Sequence, residues 1–276
     1  MMIESSPHIL YQRLKEQIES MGSVLVAFSG GVDSSLLARV AFDSLGNKAV
    51  AVTATSPTYP WYEIEEAKTI AIEIGIRHIL IESNELDIEE FAQNDNRRCY
   101  HCKRELFDKL KVIADDLNIT HIACGTTVDD LSDYRPGMDA AKELGVKSPL
   151  VEAGLTKEMV REISRMLGLP NWDKPSFACL SSRFPYGTEI TEERLKQVGM
   201  CETYLRQLGF KQFRVRYHEE VARIEACRED LELMFANPAL RNEIAKKFKE
   251  FGFTYVTIDI EGYRTGSMNE ILIKEG

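Results

Sequence analysis

Three groups of residues in this sequence have types and spacings that can do chemistry: Ser29-Gly-Gly-Val-Asp-Ser-Ser35, the pair Cys99 and Cys102, and Cys179. The first group follows the apolar run 24–28 and precedes the apolar stretch 36–42. It therefore reads as a glycine-rich turn between a strand and a helix. Such a turn aims backbone N–H groups and a helix N-terminus at an anion. Gly30 and Gly31 allow close approach and a positive φ, and Ser29, Ser34 and Ser35 add hydroxyls. A loop built for γ-phosphate cleavage carries Lys before its Ser/Thr. Asp33 stands there instead, which excludes that class.

Cys99-Tyr-His-Cys102 lies at the entry to a predicted helix, and Cys179 stands far downstream in Lys174-Pro-Ser-Phe-Ala-Cys-Leu-Ser-Ser-Arg183. A C-x-x-C pair suits a redox couple, half of a zinc site or part of an iron–sulfur site. Zinc would need further ligands, such as His101 or Cys179. Three thiolates on an iron–sulfur cluster would leave one iron open. Spacing alone leaves these alternatives standing. Cys124, Cys201 and Cys227 fall inside strand or helix patterns and are expected as small buried apolar residues.

The elements that must position these groups follow from the hydrophobic pattern. Leu10, Leu14, Ile18 and Met21 mark an opening amphipathic helix. Strands are expected at 24–28, 49–55, 77–82 and 121–125, and helices at 34–45, 61–74, 102–117 and 156–167. This alternation implies a doubly wound parallel α/β sheet. Ligands of such sheets sit at the carboxyl ends of the strands, where Ser29–Ser35 lies. After about residue 186 the pattern changes to a helix at 191–208, short strands at 212–217, 221–227 and 254–260, and a helix opening at Asn237-Pro238. A first domain over 1–178 and a small α+β domain over 179–276 are expected.

With 276 residues the chain can fill two cores. Its formal net charge is -10, whereas a nucleic-acid footprint is basic, so a small-molecule partner is expected rather than nucleic acid. No apolar stretch approaches the roughly 20 residues that span a bilayer, and no secretory leader is visible. A cytoplasmic protein whose six cysteines are reduced thiols is expected, without a membrane partner.

Ser29–Ser35 resembles the PP-loop, S-G-G-x-D-S-S, of the ATP pyrophosphatase family, the adenine nucleotide alpha hydrolase-like type. In that family the loop holds the β and γ phosphates as a leaving pyrophosphate while the substrate becomes an adenylate. Together with Arg98-Cys99, Cys102-Lys103 and the blocks 125–137, 172–187 and 262–270, the chain resembles the LarE family of ATP-dependent sulfur transferases. These enzymes make the nickel-pincer nucleotide cofactor of lactate racemase.

The resemblance implies a reaction and a set of residues. A carboxylate of pyridinium-biscarboxylic acid mononucleotide attacks the α-phosphate of ATP, and sulfur then replaces AMP. Ser29, Gly30, Gly31, Asp33, Ser34 and Ser35 would cradle phosphate, with Asp33 also meeting Mg²⁺. Ala54 and Thr55 would flank adenine, and Gly125 and Thr126 would line the nucleotide site. Asp129 and Asp130 are further magnesium candidates, with a solvated acidic turn as the plainer alternative. Arg135 and Arg183 would clamp phosphate or carboxylate, or else form structural ion pairs. Arg214 and Arg216 share one face of a predicted strand and would hold the substrate phosphate, a solvated face being the alternative. Tyr100, with Trp61 and His101, offers stacking surfaces for a pyridinium ring, packing being the alternative. For sulfur the family offers two chemistries: sacrifice of the cysteine at the position of Cys179, or a 4Fe-4S cluster on Cys99, Cys102 and Cys179. The presence of all three cysteines favours the cluster. The resemblance also suggests a homo-oligomer. A cluster-bearing tRNA thiolase, an amide-forming synthetase and a non-catalytic nucleotide-binding protein are the rival readings.

Overall fold

The computed structural model describes residues 6–132, 136–264 and 266–270. It divides the chain into two compact units. The first comprises 1–85 and 97–176, and the second 86–96 and 177–276. The expected boundary at 178/179 thus falls at 176/177, and a segment expected in the first domain belongs to the second. Asn94 explains why. It is fully buried with φ at 58°, and its Nδ2 donates to the carbonyls of Pro185 (2.7 Å) and Thr188 (3.0 Å). Gly187 N returns a bond to Asn94 O at 2.9 Å. Those polar contacts go to the C-terminal stretch, so the segment sorts with it.

The first unit carries α1 (Pro7–Met21), β1 (Val24–Ala27), α2 (Val32–Leu45), β2 (Ala49–Thr55), α3 (Trp61–Ile74) and β3 (Arg77–Glu82). A single-turn α4 (Glu89–Ala92) lies in the segment that sorts with the second unit. The first unit resumes with α5 (Arg98–Asp116), β4 (His121–Cys124), α6 (Gly137–Glu143), α7 (Pro149–Glu152) and α8 (Lys157–Met166). Its four strands run in the order β3-β2-β1-β4, and every pair is parallel.

Strand alternation sends side chains to two cores. Val24, Val26, Ala49 and Ala51 pack with Leu14 and Ile18 of α1, Leu36 and Leu37 of α2, and Val160 and Ile163 of α8. Leu25, Val50 and Val52 pack on the opposite core with Phe107 and Leu110 of α5. Helices cover both faces, so the sheet is doubly wound, as the alternating pattern implies. β1 is followed by β2 on one side, while the later β4 pairs on its other side. The carboxyl ends of β1 and β4 therefore form the topological switch point, where such sheets bind ligands.

The second unit, beyond α4, holds α9 (Glu192–Gln207), β5 (Phe213–His218), β6 (Val221–Ala226), α10 (Arg228–Ala236), α11 (Pro238–Glu250) and β7 (Tyr255–Ile258). β5 and β6 form an antiparallel hairpin, and β7 returns parallel to β6 after the two helices. Thr191 and Asn237 cap α9 and α11 through their side chains, as their residue types suggest. Among the described residues no helix is long and apolar enough to cross a membrane.

Candidate active site

The turn after β1 is held by its own hydroxyls. Ser34 Oγ donates to Gly31 O at 3.1 Å and lies 3.1 Å from Ser29 Oγ. Ser29 N donates to Ser34 Oγ at 3.2 Å, and Gly31 N reaches Ser29 Oγ at 3.3 Å. α2 begins at Val32 without a side-chain cap, and Asp33 is the acidic residue of its first turn. The first amides of a helix have no intrahelical partner and carry the positive end of its dipole. The turn therefore presents backbone donors and hydroxyls to an anion, with one carboxylate beside them for a cation.

Two glycines are needed here for space. Gly30 sits at φ +69°, and a Cβ on it would stand 2.8 Å from Ala67 Cα of α3. A Cβ on Gly125, just past β4, would stand 2.9 Å from Ser34 N. The loop is thus pressed between α3 and the end of β4, and any side chain at either position would push it away. Thr126, adjoining, places its Oγ1 3.2 Å from Cys124 Sγ. Ala54 and Thr55 end β2 and are half-buried, with Thr55 Oγ1 donating to Ile81 O at 3.1 Å. Ser35 departs from the expectation of a phosphate contact. Its side chain is fully buried and its Oγ accepts from Asn171 Nδ2 at 3.0 Å, so it braces the loop from beneath.

Other expected ligands are engaged by the chain itself. Asp129 accepts from Lys157 N at 2.7 Å. Asp130 is buried; its Oδ2 accepts from Thr127 N at 2.9 Å, and its Oδ1 lies 2.8 Å from Lys157 Nζ. These carboxylates, expected as magnesium contacts or as a solvated acidic turn, here tie that turn to the start of α8. Tyr100, expected as a stacking surface or as packing, is a packed ring. Its ring is buried under the Arg97 guanidinium, 4.3 Å from the centroid, and its hydroxyl donates to Glu143 at 2.7 Å. Trp61, by contrast, is 69% exposed at the start of α3. Arg135 lies outside the described residues.

α5 starts at Arg98, earlier than the expected 102, so Cys99 and Cys102 lie one helical turn apart on it. Cys99 is exposed, and Cys102 is half-buried with its Sγ 3.8 Å from Glu85 Oε1. Glu85, itself buried, also accepts from Ser56 Oγ. Sequence reasoning missed Glu85. Two thiols on one helix face suit two ligands of a cluster, and the third candidate, Cys179, belongs to the second unit. Among the described residues no group of three His, Cys, Asp or Glu is gathered as a metal site. Cys124 and Cys201 are buried as expected, and burial pushes the Cys201 thiol up. Cys227 differs. It is half-buried, its Sγ donates to Asp230 at 3.0 Å, and burial with that bond pushes its thiol up to about 11.

In the second unit Cys179 is half-buried and leads into a short turn, Leu180–Arg183. Arg183 was a candidate clamp, but it is fully buried. Its Nε and Nη2 grip Glu202 at 2.7 and 2.8 Å, and its Nη1 donates to the carbonyls of Ala178 (2.9 Å) and Cys179 (3.2 Å). It is a structural ion pair that fixes the backbone of Cys179. Glu202 also accepts from Val215 N at 2.9 Å. Burial alone would raise its carboxyl; Arg183 holds it below the usual range. Arg214 and Arg216 stand two residues apart on β5. Arg214 stacks over Tyr263 at 5.1 Å, and burial followed by the field of Arg183 lowers its guanidinium from the ordinary value. Arg216 is 5% exposed. It donates to Glu225 at 2.6 Å, to Ser267 at 2.8 Å and to Ser182 O at 2.9 Å, while its buried Nε has no hydrogen-bond partner. Buried Arg183 and Arg216, with half-buried Arg214, gather around buried Glu202 and Glu225 in a nest in which the Arg216 Nε is unused.

Comparison with known proteins agrees with this geometry. The family described as asparagine synthase matches residues 8–108, which include the turn. The chain is 48% identical over 263 residues to an uncharacterised protein of Synechocystis, covering 95% of this chain and 98% of that one. It is 36% identical over 259 residues to the pyridinium-3,5-bisthiocarboxylic acid mononucleotide synthase of Lactiplantibacillus plantarum, covering 93% of this chain and 92% of that enzyme. It is 32% identical over 189 residues to the tRNA-specific 2-thiouridylase of Azorhizobium caulinodans, but covers only 48% of that protein. A lysine-free phosphate turn at the switch point, followed by a cysteine-bearing second unit and a likeness running through both, places the chain in the LarE family of ATP-using sulfurtransferases, within the PP-loop ATP pyrophosphatases.

Proposed function

We propose that the protein adenylates a carboxylate of pyridinium-3,5-biscarboxylic acid mononucleotide and replaces the adenylate with sulfur, then repeats the cycle on the second carboxylate. The observation that carries this reading is the end-to-end likeness to the mononucleotide synthase, set beside a turn suited to pyrophosphate. A carboxylate resists attack by an anionic sulfur, because like charges meet and oxide leaves badly. Attack of a carboxylate oxygen on the α-phosphorus, with cleavage of the bond to the β-phosphate, removes the charge and installs AMP as leaving group. The amides of Gly31 and the start of α2, with the hydroxyls of Ser29 and Ser34, would hold the departing pyrophosphate. Magnesium beside Asp33 would spread the charge that develops on the phosphates. Ala54, Thr55, Gly125 and Thr126 would flank the nucleoside. Arg214 and Arg216, the latter with an unused Nε, would take the phosphate of the mononucleotide.

For the sulfur, we propose that the thiolates of Cys99, Cys102 and Cys179 hold a 4Fe-4S cluster. Such a cluster would supply an open iron that carries hydrosulfide as a renewable donor. Arg183 and Glu202 would keep the Cys179 backbone fixed. The partner is a small mononucleotide rather than nucleic acid, and a homo-oligomeric enzyme is expected.

The test combines pyrophosphate release in the presence of the mononucleotide with iron and sulfide content of anaerobically purified wild type and Cys99→Ala. Release that depends on the mononucleotide, with iron and turnover both lost in Cys99→Ala, is the expected result. Full multiple turnover in Cys99→Ala sinks the cluster. Conversion of Cys179 to dehydroalanine, seen by mass as loss of the elements of hydrogen sulfide, would assign the sulfur to that residue. Release that depends on tRNA instead would overturn the substrate.

A further inference from the structure

Asn171 follows α8 and lies 141 positions along the chain from Gly30, yet it touches both ends of the phosphate turn. Its Nδ2 donates to Gly30 O at 3.0 Å and to Ser35 Oγ at 3.0 Å. The assignment of the amide follows from chemistry, since a carbonyl oxygen only accepts and the nitrogen end must face it. Asn171 is 8% exposed, and its Oδ1 is buried with no hydrogen-bond partner. A residue present only to fill this space would do so more cheaply as an apolar side chain, without the cost of an unsatisfied oxygen. The nitrogen end is what the position uses.

What it holds is the peptide between Gly30 and Gly31. A peptide joining two glycines can turn over with little steric resistance. Turned one way it offers Gly31 N–H to an anion; turned the other way it offers a carbonyl oxygen, which repels one. In the structure Gly31 N–H reaches Ser29 Oγ by a long bond of 3.3 Å, which a phosphate oxygen can replace. Gly30 O points to the opposite side and is pinned there by Asn171. The second Nδ2 hydrogen is spent on Ser35, whose N donates to Gly31 O at 2.9 Å, so the amide cannot swing away without releasing the start of α2. We propose that Asn171 is a positioning residue for nucleotide binding: it locks the Gly30–Gly31 peptide with its N–H toward the pyrophosphate. This rests on the reading of Ser29–Ser35 as the phosphate cradle.

The experiment measures ATP affinity by calorimetry, and KM and kcat for mononucleotide-dependent pyrophosphate release, on the full chain and its Asn171→Asp and Asn171→Ala variants. Aspartate keeps the shape but sets an acceptor against Gly30 O; alanine removes both contacts. Positioning by donation predicts that Asn171→Asp loses about tenfold or more in ATP affinity and Asn171→Ala about three- to tenfold. Both losses should appear in KM for ATP, while KM for the mononucleotide stays unchanged. A space-filling role predicts the reverse order, with alanine worse than aspartate, and that order would overturn the proposal. Where Asn171→Asp does not fold, Asn171→Leu takes its place. Affinity near wild type in that variant overturns the proposal, and a loss matching alanine supports it. Wild type that binds no ATP would remove the cradle and this proposal together. Wild type that binds ATP, with Asn171→Asp equal to it, would remove only the role of Asn171.

Discussion

The phosphate turn and the arginine nest both suit anions, and they are built in opposite ways. The turn uses backbone amides, hydroxyls and a helix end, with a lone acidic residue in the helix's first turn. The nest uses whole charges: Arg183 and Arg216 buried with Glu202 and Glu225, and Arg214 half-buried beside them. Backbone donors are fixed by the fold, leave no net charge to be buried, and bind whatever oxygen reaches them. Guanidiniums bring charge and bidentate geometry, but each must be desolvated and balanced. If the proposed reading holds, the first design serves a pyrophosphate that is the same in every turnover. On the same proposed reading, the second serves the choice of one mononucleotide.

Breaking the balance of the nest should produce the largest effect. Glu202→Ala leaves Arg183 buried without its carboxylate, and urea unfolding should show a loss of about 3–5 kcal/mol. A loss below about 1 kcal/mol would mean the pair is not desolvated as the structure has it. In the turn, Gly30→Ala forces a side chain into left-handed backbone and against Ala67. It should cost about 1–2 kcal/mol of stability from the backbone alone. ATP binding should fall below detection in calorimetry, and retained micromolar binding would contradict the tight cradle.

A subtler substitution separates the two regions. Arg216→Lys keeps the charge but loses the fork, so KM for the mononucleotide should rise about tenfold, equivalent to about 1.4 kcal/mol. KM for ATP should stay within about twofold; equal shifts in both would show that the regions are not independent in this way. The smallest effect is set by pH. Glu202 is held below its usual 4.5, so the stability it contributes is present above 4.5 and is lost as pH falls through its folded value. Urea unfolding of wild type should weaken between pH 7 and pH 3.5, and Glu202→Gln should weaken less over that interval. Identical slopes would assign the acid sensitivity to other groups.

The same contrast governs what could be read from the sequence. The turn was legible because its parts are contiguous and each has a local reason: glycines for space, serines for hydroxyls, an apolar run on either side. The parallel sheet was legible for the same reason. The nest was not. Arg214 and Arg216 could be placed on one strand face, but their carboxylates come from α9 and from the partner strand, and Glu202 and Glu225 carried no signal of their own. For Arg183 the type suggested a ligand clamp, and only the tertiary fold shows its fork filled. The partners of Asp129, Asp130 and Tyr100 were hidden in the same manner, since a carboxylate or a ring looks equally available until its neighbours are known. Asn171 and Glu85 were missed because an amide or a carboxylate in a loop has no periodicity to mark it. A cue for Asn171 did exist in its place soon after a helix end, yet many asparagines sit there for turn geometry alone.

The short segment 86–96 has a genetic consequence. Because it folds with the C-terminal unit, the chain passes between units after 85, after 96 and after 176, and neither unit is one continuous stretch. No single cut in the gene yields both pieces whole. A fragment beginning at 177 would lack the amide that gathers the carbonyls of Pro185 and Thr188. Moving the second unit whole means moving 86–96 together with the stretch from 177 onward. A rearrangement that carries one of these segments without the other divides the unit.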